Sequence, residues 1–536
     1  MAGSSIAAKI PITAITIMTD NTYTGGTRIS GGSVAITSMS NANQAKGNLG
    51  GVTLAAAKFV IENGSELRTT SAVTNGSIIS FAGDEGGVIN NLADFIVDRA
   101  MSGTVLTKKG SGYLKLNTSN SNLKRLVITA GTVQCVSCST PAQTVEFQNG
   151  TLSENTSSSY AIHVPQGKRG TWNLVDRGTY SNKLTGSGTL TVYCPIVVGS
   201  TWNATRTQIT GNWSEFEGTI TCKVHSSDTR FTLDNSYGMP KGTMNIPAGV
   251  EVQNSGRTYR IGRVANNGSL GGTCTFSSGA SAGANTWQVG DDTNWSWGGK
   301  VTSNANFTKV GNGRMTYTGT SDNTGNVTIN QGELQISQGV LGTGRLVVAQ
   351  GAILSGTNTD KKPLNNTSVT INGILHPGSS ASSYVGNLYF GGKNVSMTAT
   401  SVYEVKARSC ASSSNPGCTS IGGIGTLTMN GTLRLTLADN HILKAGDSIR
   451  VWSAATVAGT PKLELPEGID WDTSRLNEGL LFVKSVSDGI AAVTVSEIQP
   501  ADIYDLNGRL VRKNATNTEG LRSGIYIIRG RKIVVK

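Results

Sequence analysis

Hydrophobic and polar residues alternate along most of the chain. In residues 425–437, GTLTMNGTLRLTL, an apolar side chain occupies every second position from Leu427 except at Gly431. A period of two indicates strands with one buried face, and the spacing typical of amphipathic helices is nearly absent. Glycine, serine, threonine and asparagine separate the alternating stretches and mark tight turns. The pattern predicts an all-β protein with many short strands.

A long internal repeat overlies this alternation. Residues 105–135 recur at residues 306–336 without a gap, at a constant offset of 201, and a partial copy occupies residues 23–36. Strands with one apolar face cannot bury it alone, so repeated units of this kind coil and stack on one another. We therefore expect a solenoid. The matched pairs are Leu106 and Phe307, Lys108 and Lys309, Gly110 and Gly311, Gly112 and Gly313, Leu114 and Met315, Ile128 and Ile329, Gly131 and Gly332, and Val133 and Leu334.

The glycines of the repeat are predicted to form its turns. Each unit reads as strand, glycine turn, strand, loop, strand, glycine turn and strand. Glycine adopts positive φ without steric cost, which a tight turn between short strands requires. The predicted turn residues are Gly110, Gly112, Gly131, Gly311, Gly313 and Gly332.

The repeat resembles a known family. The pattern K-x-G-x-G-x-L/M, followed by a T-I/V-x-x-G-x-L strand, is similar to the autotransporter-associated β-strand repeat, and residues 371–379 resemble a turn near the end of autotransporter passenger domains. The resemblance covers most of residues 21–490. It implies a right-handed, single-stranded parallel β-helix of the pectin lyase-like class, followed by a small C-terminal β module.

The C-terminus carries three further motifs in order: Y-D-L-x-G-R, G-I-Y-I-I and a basic final strand. They resemble the C-terminal sorting domain of Bacteroidetes proteins exported by the type IX secretion system, which implies contact with that machinery. An alternative is a small hairpin unit with a type I′ turn at Asn507-Gly508. The matching residues are Tyr504, Asp505, Leu506, Gly508, Arg509, Gly524, Tyr526, Lys532 and Lys536.

These patterns divide the 536 residues into four parts. Residues 1–20 are a lead-in that belongs to an incomplete rung, 21–425 the β-helix, 426–497 its β-rich end and 498–536 the sorting-type module. Lys9 and Pro11 interrupt what would be the apolar core of a signal peptide, so we expect an N-terminally truncated chain. No run of about 20 apolar residues predicts a membrane helix.

The charge balance adds little to this picture. The formal net charge is +12, but the 45 Lys and Arg residues are scattered rather than clustered over most of the chain. Dispersed basic residues do not form the stripe typical of a nucleic-acid-binding surface, so no nucleic-acid partner is expected.

Catalytic patterns of pectin-active β-helices are not matched. Asn358-Thr359-Asp360 and Asp291-Asp292 are present, but in the wrong order for the polygalacturonase pattern, and its G-H-G motif is missing. The carboxylates that such hydrolysis needs in pairs are sparse. The four histidines lack metal-ligand spacing. We predict no catalytic residue, metal site or cofactor.

The cysteines give one candidate disulfide. Cys410 and Cys418 bracket an evident loop, which suits a bond in an oxidising environment. Cys135 aligns with Ile336 and is interpreted as a packing residue. Residues i and i+3 of a strand point to opposite faces, so a bond from Cys135 to Cys138 would need a turn between them.

One dense aromatic and polar cluster is the candidate ligand-binding site: Trp287, Asp291, Asp292, Trp295 and Trp297. Exposed tryptophan beside hydrogen-bonding groups is a frequent means of gripping sugars or partner surfaces. The alternative is that these tryptophans are buried structural residues, which is the commoner environment.

Two functions remain open from the sequence. The first is an exported, cell-surface or secreted β-helical protein, structural or adhesin-like, with a glycan or host-surface ligand. The second is a carrier part of a carbohydrate-active enzyme of the polysaccharide lyase or glycoside hydrolase class. Fold alone does not choose between them.

Overall fold

The computed structural model describes residues 14–23, 26–40, 46–51, 59–194, 207–225, 230–254, 256–273, 285–378, 385–407, 418–437, 442–486 and 500–535. Over these residues it contains β-strands and one short 3-10 helix, Leu476–Glu478. The all-β prediction is confirmed. The chain divides into two compact units between Ile374 and Leu375.

The strands of the first unit are short, most of them three to six residues. They are β1 Ala14–Ile17, β2 Thr27–Ile29, β3 Ser33–Ile36, β4 Phe59–Glu62, β5 Ser65–Thr69, β6 Val73–Asn75, β7 Ile79–Ala82, β8 Gly87–Asn91, β9 Phe95–Val97, β10 Ser102–Lys109, β11 Tyr113–Leu116, β12 Leu123–Ile128, β13 Thr132–Cys135, β14 Thr144–Phe147, β15 Thr151–Ser153, β16 Ala161–Val164, β17 Arg169–Asn173, β18 Thr179–Tyr180, β19 Leu184–Gly186, β20 Thr189–Cys194, β21 Gln208–Ile209, β22 Thr219–Val224, β23 Arg230–Leu233, β24 Met239–Asn245, β25 Glu251–Asn254, β26 Thr258–Ala265, β27 Ser269–Thr273, β28 Thr286–Val289, β29 Trp295–Trp297, β30 Lys300–Val301, β31 Asn306–Lys309, β32 Arg314–Tyr317, β33 Val327–Ile329, β34 Glu333–Ser337, β35 Leu346–Val348, β36 Ile353–Thr357 and β37 Val369–Ile371.

The remaining strands are fewer and longer. They are β38 Ile374–Pro377, β39 Asn387–Met397, β40 Val402–Ala407, β41 Ser420–Met429, β42 Thr432–Leu437, β43 Ser448–Arg450, β44 Trp452–Ala458, β45 Lys462–Glu464, β46 Ile469–Asp472, β47 Leu480–Val486, β48 Ala501–Asp505, β49 Leu510–Ala515, β50 Gly524–Ile528 and β51 Arg531–Val535.

Parallel stacking organises the first unit. Its longest sheet runs through β6, β9, β11, β13, β15, β17, β20, β22, β24, β26, β28, β31, β33, β35 and β37. Every one of these neighbours is parallel. Along much of the chain, a strand of a second parallel sheet follows each strand of this sheet. For example, β12, which pairs with β10, comes between β11 and β13 in the sequence. This is the stacking of a β-solenoid, as the repeat predicts.

The alternating pattern gives each strand an inner and an outer face. In the long sheet, Leu114, Val133, Leu152, Trp172 and Val192 stand in register on successive strands, and none of them is exposed. Because side chains alternate across a strand, their neighbours point outward. Burial of this inner column against the next rung supplies the hydrophobic stabilisation that one rung lacks.

The two glycines of each repeat turn have different roles. Gly311 has φ of +74°, so the predicted positive φ is confirmed there. Gly313 has no positive φ; a Cβ at Gly313 would lie 1.8 Å from the carbonyl oxygen of Thr293 on the preceding rung. Gly110 and Gly112 repeat this division of roles. The prediction of positive φ at the second glycine is therefore wrong. Glycine is required there because the backbones of two rungs approach closely. Gly131 and Gly332 both have φ of +67°.

A buried lysine accompanies each of these turns. Lys309 is not exposed, and its Nζ donates hydrogen bonds to the carbonyl oxygens of Val310 at 2.9 Å, Gly311 at 2.8 Å and Gln331 at 3.2 Å. Gln331 lies in the next rung, so the ammonium ties two turns together. Burial lowers the pKa of Lys309 to about 8, while the Asp291, Asp292 and Glu333 carboxylates oppose the shift.

Lys108 makes the same arrangement one repeat earlier. It too is unexposed, and its Nζ donates to the carbonyl oxygens of Lys109 at 2.6 Å, Gly110 at 2.7 Å and Ala130 at 3.3 Å. Each of these acceptors is the counterpart, 201 residues earlier, of an acceptor of Lys309. Burial lowers the pKa of Lys108 to about 8. We call Lys108, Lys309 and their acceptors the lysine clamps.

The second unit combines parallel and antiparallel sheets. β39, β41 and β44 are parallel neighbours, as are β40, β42 and β45. β43, β47 and β46 form an antiparallel sheet. The stretch expected to end the solenoid therefore includes antiparallel strands.

The C-terminal module is an antiparallel sheet in the order β49, β48, β50, β51. Its small core consists of Ala501, Ile503, Ala515, Ile528 and Ile533, with Leu521 and Tyr526 packed against it. A small C-terminal β module is thus confirmed as part of the fold.

The hairpin between β48 and β49 is not closed by a type I′ turn. Gly508 has φ of +77°, but Asn507 lacks the positive φ that type I′ requires at both central positions. Instead, Gly508 N donates to Asp505 O at 3.0 Å and Asp505 N to Arg509 O at 2.9 Å. Asp505 Oδ1 also accepts from the N–H groups of Asn507 and Arg509, and the latter bond heads the causes that lower its pKa. The turn is a three-residue loop with glycine at the left-handed position.

Replacement of Gly313 by alanine should destabilise the rung that contains it. The added Cβ clashes with a backbone carbonyl, and overpacking of this kind costs about 1–3 kcal/mol. Gly31→Ala is the matched control, since a Cβ there meets nothing within 4 Å. Hydrogen–deuterium exchange by mass spectrometry should show faster exchange in β31 and β32 for Gly313→Ala alone. Equal protection in both variants contradicts the role assigned to Gly313.

Replacement of Lys309 by methionine should also destabilise the first unit. Three orphaned carbonyls cost about 1–3 kcal/mol each, or about 3–9 kcal/mol together. Most of this range exceeds the roughly 3 kcal/mol recovered by no longer burying an ammonium whose pKa falls from 10.5 to about 8. Lys300→Met, at a half-exposed lysine of the same region, is the control. Denaturant unfolding at neutral pH should show a lower midpoint only for Lys309→Met.

The deficit of Lys309→Met should grow as the pH rises from about 8 to 10.5. In this window the folded chain has released the Lys309 proton and the unfolded chain still holds it, so stability of the native sequence rises with pH. The methionine variant lacks this gain. If the stability deficit of Lys309→Met instead shrinks as the pH rises, hydrogen bonding to the carbonyl oxygens outweighs the effect of burial on the pKa. Lys309 would then stay charged in the folded chain.

Candidate functional site

The tryptophan cluster predicted from sequence is mostly buried. Trp287 is unexposed and Trp297 is 1% exposed. The Trp287 ring packs edge-on against Tyr259, at 5.8 Å between centroids, and its Nε1 donates to the Gly271 carbonyl at 2.9 Å. Trp297 contacts Phe307 and Tyr317. Both indoles are part of the core, which favours the alternative interpretation of Trp287 and Trp297 as buried structural residues. Trp295 is partly exposed.

The two acidic residues of that cluster hold turns. Asp291 Oδ1 accepts from the N–H of Thr293 at 2.9 Å, and its Oδ2 pairs with Arg263 at 3.0 Å. Asp292 Oδ1 accepts from the backbone N–H of Asn312, in the glycine turn of the next rung, at 2.9 Å. Asp292 therefore bonds to the same turn that the lysine clamp holds from inside, and Asp291 holds the turn of its own rung, which explains the polar residues of the cluster without a ligand.

A regular polar face lies on the outer side of the long sheet between β11 and β22. Two rows of outward side chains stand in register on six successive strands. The first row is Tyr113, Thr132, Thr151, Thr171, Thr191 and Thr221. The second row is Lys115, Gln134, Ser153, Asn173, Tyr193 and Lys223. We call these two rows the polar grid.

The side chains of the polar grid are half-exposed, and the backbone sets the distances between them. Adjacent strands of a sheet are about 4.8 Å apart and alternate residues of one strand about 6.6 Å apart, so hydroxyl and amide groups recur at nearly constant intervals. Threonine is favoured here because its branched side chain suits a strand and its hydroxyl remains available on the outer face. Some members bond to one another, as Asn173 Nδ2 donates to Ser153 Oγ at 3.0 Å.

An aromatic and a basic side chain meet at each end of the polar grid. Lys115 Nζ lies 5.8 Å from the Tyr113 ring centroid, and Lys223 Nζ lies 5.1 Å from that of Tyr193. Tyr113 is 47% exposed. Four strand-to-strand steps separate Tyr113 from Tyr193, about 19 Å. Neither row contains an acidic residue, but Lys115 also pairs with Asp94 Oδ2 at 2.6 Å. The face therefore offers flat rings, hydroxyls, amides and the positive charge of Lys223.

These groups were missed because no local motif marks them. Each rung contributes only an alternation such as Thr189-Leu-Thr191 or Thr219-Ile-Thr221, which reads as an ordinary strand. The register between rungs brings Thr191 beside Thr221, 30 residues away. Strand-face threonines at every rung were the available signal.

A charged ladder crosses strands of the second unit. His376 is 5% exposed and its Nδ1 lies 3.1 Å from Glu404 Oε2, while Arg434 contacts Glu404 at 3.1 Å and Glu464 at 2.9 Å. Hydrogen bonding with His376, followed by Arg434, lowers the pKa of Glu404 against the effect of burial.

Other predicted site residues are placed as follows. Cys410 and Lys536 lie outside the described residues, so the Cys410–Cys418 disulfide stays a prediction. Cys418 is buried and its Sγ lies 3.3 Å from the Arg450 carbonyl. In the C-terminal module, Tyr526 packs on the core, Asp505 and Arg509 pair at 3.2 Å, and Leu506 is 54% exposed.

Within the described ranges, no group of three His, Cys, Asp or Glu side chains is placed to hold a metal ion. The described part of the chain also has no helix with the length and apolar character to span a membrane. Neither observation selects a function.

The stacked parallel sheets define the class, a β-solenoid repeat protein with small antiparallel sheets toward its C-terminus. A scan of the chain against protein-family models finds no match, and a search of curated proteins finds no relative.

Proposed function

We propose that this chain is an exported, adhesin-like β-solenoid that binds extended glycan chains along its polar grid. The observation that carries this proposal is the alignment of two rows of hydroxyl, amide, aromatic and basic side chains on six successive strands. A linear polysaccharide also presents hydroxyl groups at regular intervals, so many weak contacts can form at once.

The chemistry of the grid favours an anionic chain. Tyr193 and Tyr113 offer rings on which sugar rings can stack, and Thr171 and Thr191 offer hydroxyls that both donate and accept. Lys223 supplies a positive charge beside them, Lys115 is paired with Asp94 Oδ2 at 2.6 Å, and no carboxylate belongs to either row. Uronic acid polymers match this set better than neutral glucans, and their binding should weaken with salt because exposed charges are screened.

Removal of two hydroxyls and one aromatic ring from the grid should weaken glycan binding about tenfold, or 1.4 kcal/mol. The test variant is Thr171→Val with Thr191→Val and Tyr193→Ala, which leaves the inner face unchanged. The chain is applied to an array of neutral glucans and uronic acid oligosaccharides, with and without Ca²⁺, and affinity for any retained glycan is then measured by calorimetry.

The matched control is Thr308→Val with Thr328→Val, two outward threonines in register on the same sheet beyond the grid. This variant should bind like the unaltered chain. Equal loss in both variants, or no retention of any glycan by the unaltered chain, contradicts the assignment of the grid. Release of shortened products on the same array would instead favour a carbohydrate-active enzyme.

We further propose that residues 498–536 act as a sorting module for export. The independent core of this module supports a separable unit, and Leu506, Leu510 and Val511 are exposed apolar residues of its first hairpin. The order of its motifs resembles type IX sorting domains, which remains the main argument for the role.

A reporter fused to residues 498–536 should be exported by a bacterium that has a type IX secretion system. Asp505→Ala with Gly508→Val should reduce export, because the first removes hydrogen bonds that hold the hairpin turn and the second strains its positive φ. Lys513→Ala is the control. Export that does not depend on the fused residues contradicts the sorting role.

A further inference from the structure

A cluster of buried polar side chains lies beneath the polar grid, on the inner side of β13 and β15. Cys135 and Cys138 are 1% and 0% exposed, and Glu154 is 8% exposed. The Tyr160 hydroxyl and, at 3.3 Å, the Trp172 Nε1 donate to Glu154 Oε1. Burial of a carboxyl beside two thiols costs free energy. This carboxyl takes no part in the contacts between rungs described above.

The backbone turns between the two cysteines. The N–H groups of Val136 and Ser137 both donate to the carbonyl oxygen of Leu116, at 2.9 and 3.3 Å. Successive N–H groups of an extended strand point in opposite directions, so a shared acceptor marks a turn. The turn returns Cys138 to the same interior side as Cys135, and their thiols are within hydrogen-bonding reach. The interpretation of Cys135 as a packing residue is therefore incomplete.

The surroundings of the two thiols differ. Cys138 receives hydrogen bonds from Cys135, from the Thr140 backbone and from Ser119, and that from Cys135 is the largest cause of its lowered pKa. The same bond, followed by burial, raises the pKa of Cys135 far above its usual range. Cys138 is the thiol better suited to carry negative charge and to act as the nucleophile.

Glu154 can receive a proton in this cluster. Burial raises the pKa of its carboxyl, and hydrogen bonds led by that from Tyr160 oppose the shift. Its Oε2 atom is buried and has no hydrogen-bond donor of good geometry, and the Cys135 thiol lies within reach of the carboxyl. A nucleophilic thiol, a second thiol and a base thus share one enclosed space.

We propose that Cys135 and Cys138 are a redox-active pair that closes to a disulfide in response to peroxide, with Glu154 as the proton acceptor. Hydrogen peroxide is the oxidant, because both thiols are buried and a larger disulfide oxidant could not contact them. The glycan-binding proposal does not depend on this pair.

The reaction has two steps. In the first, Cys138 sulfur attacks one peroxide oxygen; the S–O bond forms, the O–O bond breaks, and water leaves with the thiol proton, which gives a sulfenic acid. In the second, Cys135 passes its proton to Glu154 and its sulfur attacks Cys138 sulfur. The S–S bond forms, the S–O bond breaks, and hydroxide leaves and takes the proton from Glu154 as water. Two thiols and one peroxide give one disulfide and two waters.

Mass spectrometry can test this reaction on the full chain. After peroxide treatment, the chain is denatured, alkylated and digested. The peptide containing Cys135 and Cys138 should lack two hydrogen atoms and carry no alkyl group. Cys222, which is also unexposed, is the internal reference and should be alkylated in full. Oxidation of Cys222 at the same rate, or two alkylated thiols at 135 and 138, overturns the proposal.

Variants separate the roles within the cluster. Cys135→Ser should stop the reaction at the Cys138 sulfenic acid, which dimedone traps. Glu154→Gln should slow closure on the order of 100-fold, the usual contribution of a general base. Tyr160→Phe removes a hydrogen bond that lowers the Glu154 pKa, so the carboxylate becomes more basic and closure should become faster. Unchanged rates in both Glu154→Gln and Tyr160→Phe refute the role of Glu154.

Discussion

Close parallel stacking is the constraint on which the first unit depends. Strands about 4.8 Å apart leave no room for a Cβ where one turn crosses another, and they enclose carbonyl groups that water cannot reach. Glycine meets the first demand at Gly313 and a buried ammonium meets the second at Lys309. The K-x-G-x-G pattern is therefore one device: it lets two rungs approach and satisfies the polar groups exposed by that approach.

The inner and outer faces of the strands therefore have different roles. The inner face tolerates few changes, since each side chain meets the rung on either side and cavities or overpacking are costly. The outer face is free to vary as long as its residues suit a strand. Polar chemistry can accumulate there in rows without altering the core, which is how Thr171 and Thr191 come to stand beside each other while Trp172 and Val192 pack beneath them.

The fold was largely predictable because alternation and the 201-residue repeat both express inner-face burial. The candidate site was not, for two physical reasons. Burial of Trp287 depends on how its rung stacks on Tyr259, and adjacent residues in sequence do not reveal that contact. Which side chains stand beside each other in the polar grid depends on the register between rungs, and the rungs differ in length. Cys138 shows the same limit: only a backbone turn brings it back toward Cys135.

The repetition of the polar grid has a consequence for a polymer that occupies it. Thr132, Thr151 and Thr171 offer nearly the same group, so a chain displaced by one rung meets an almost equivalent set of contacts. Each doubling of the number of equivalent registers adds about 0.4 kcal/mol of favourable entropy, RT ln 2. Such a face would hold a polymer firmly across the strands and allow it to slide along the stack.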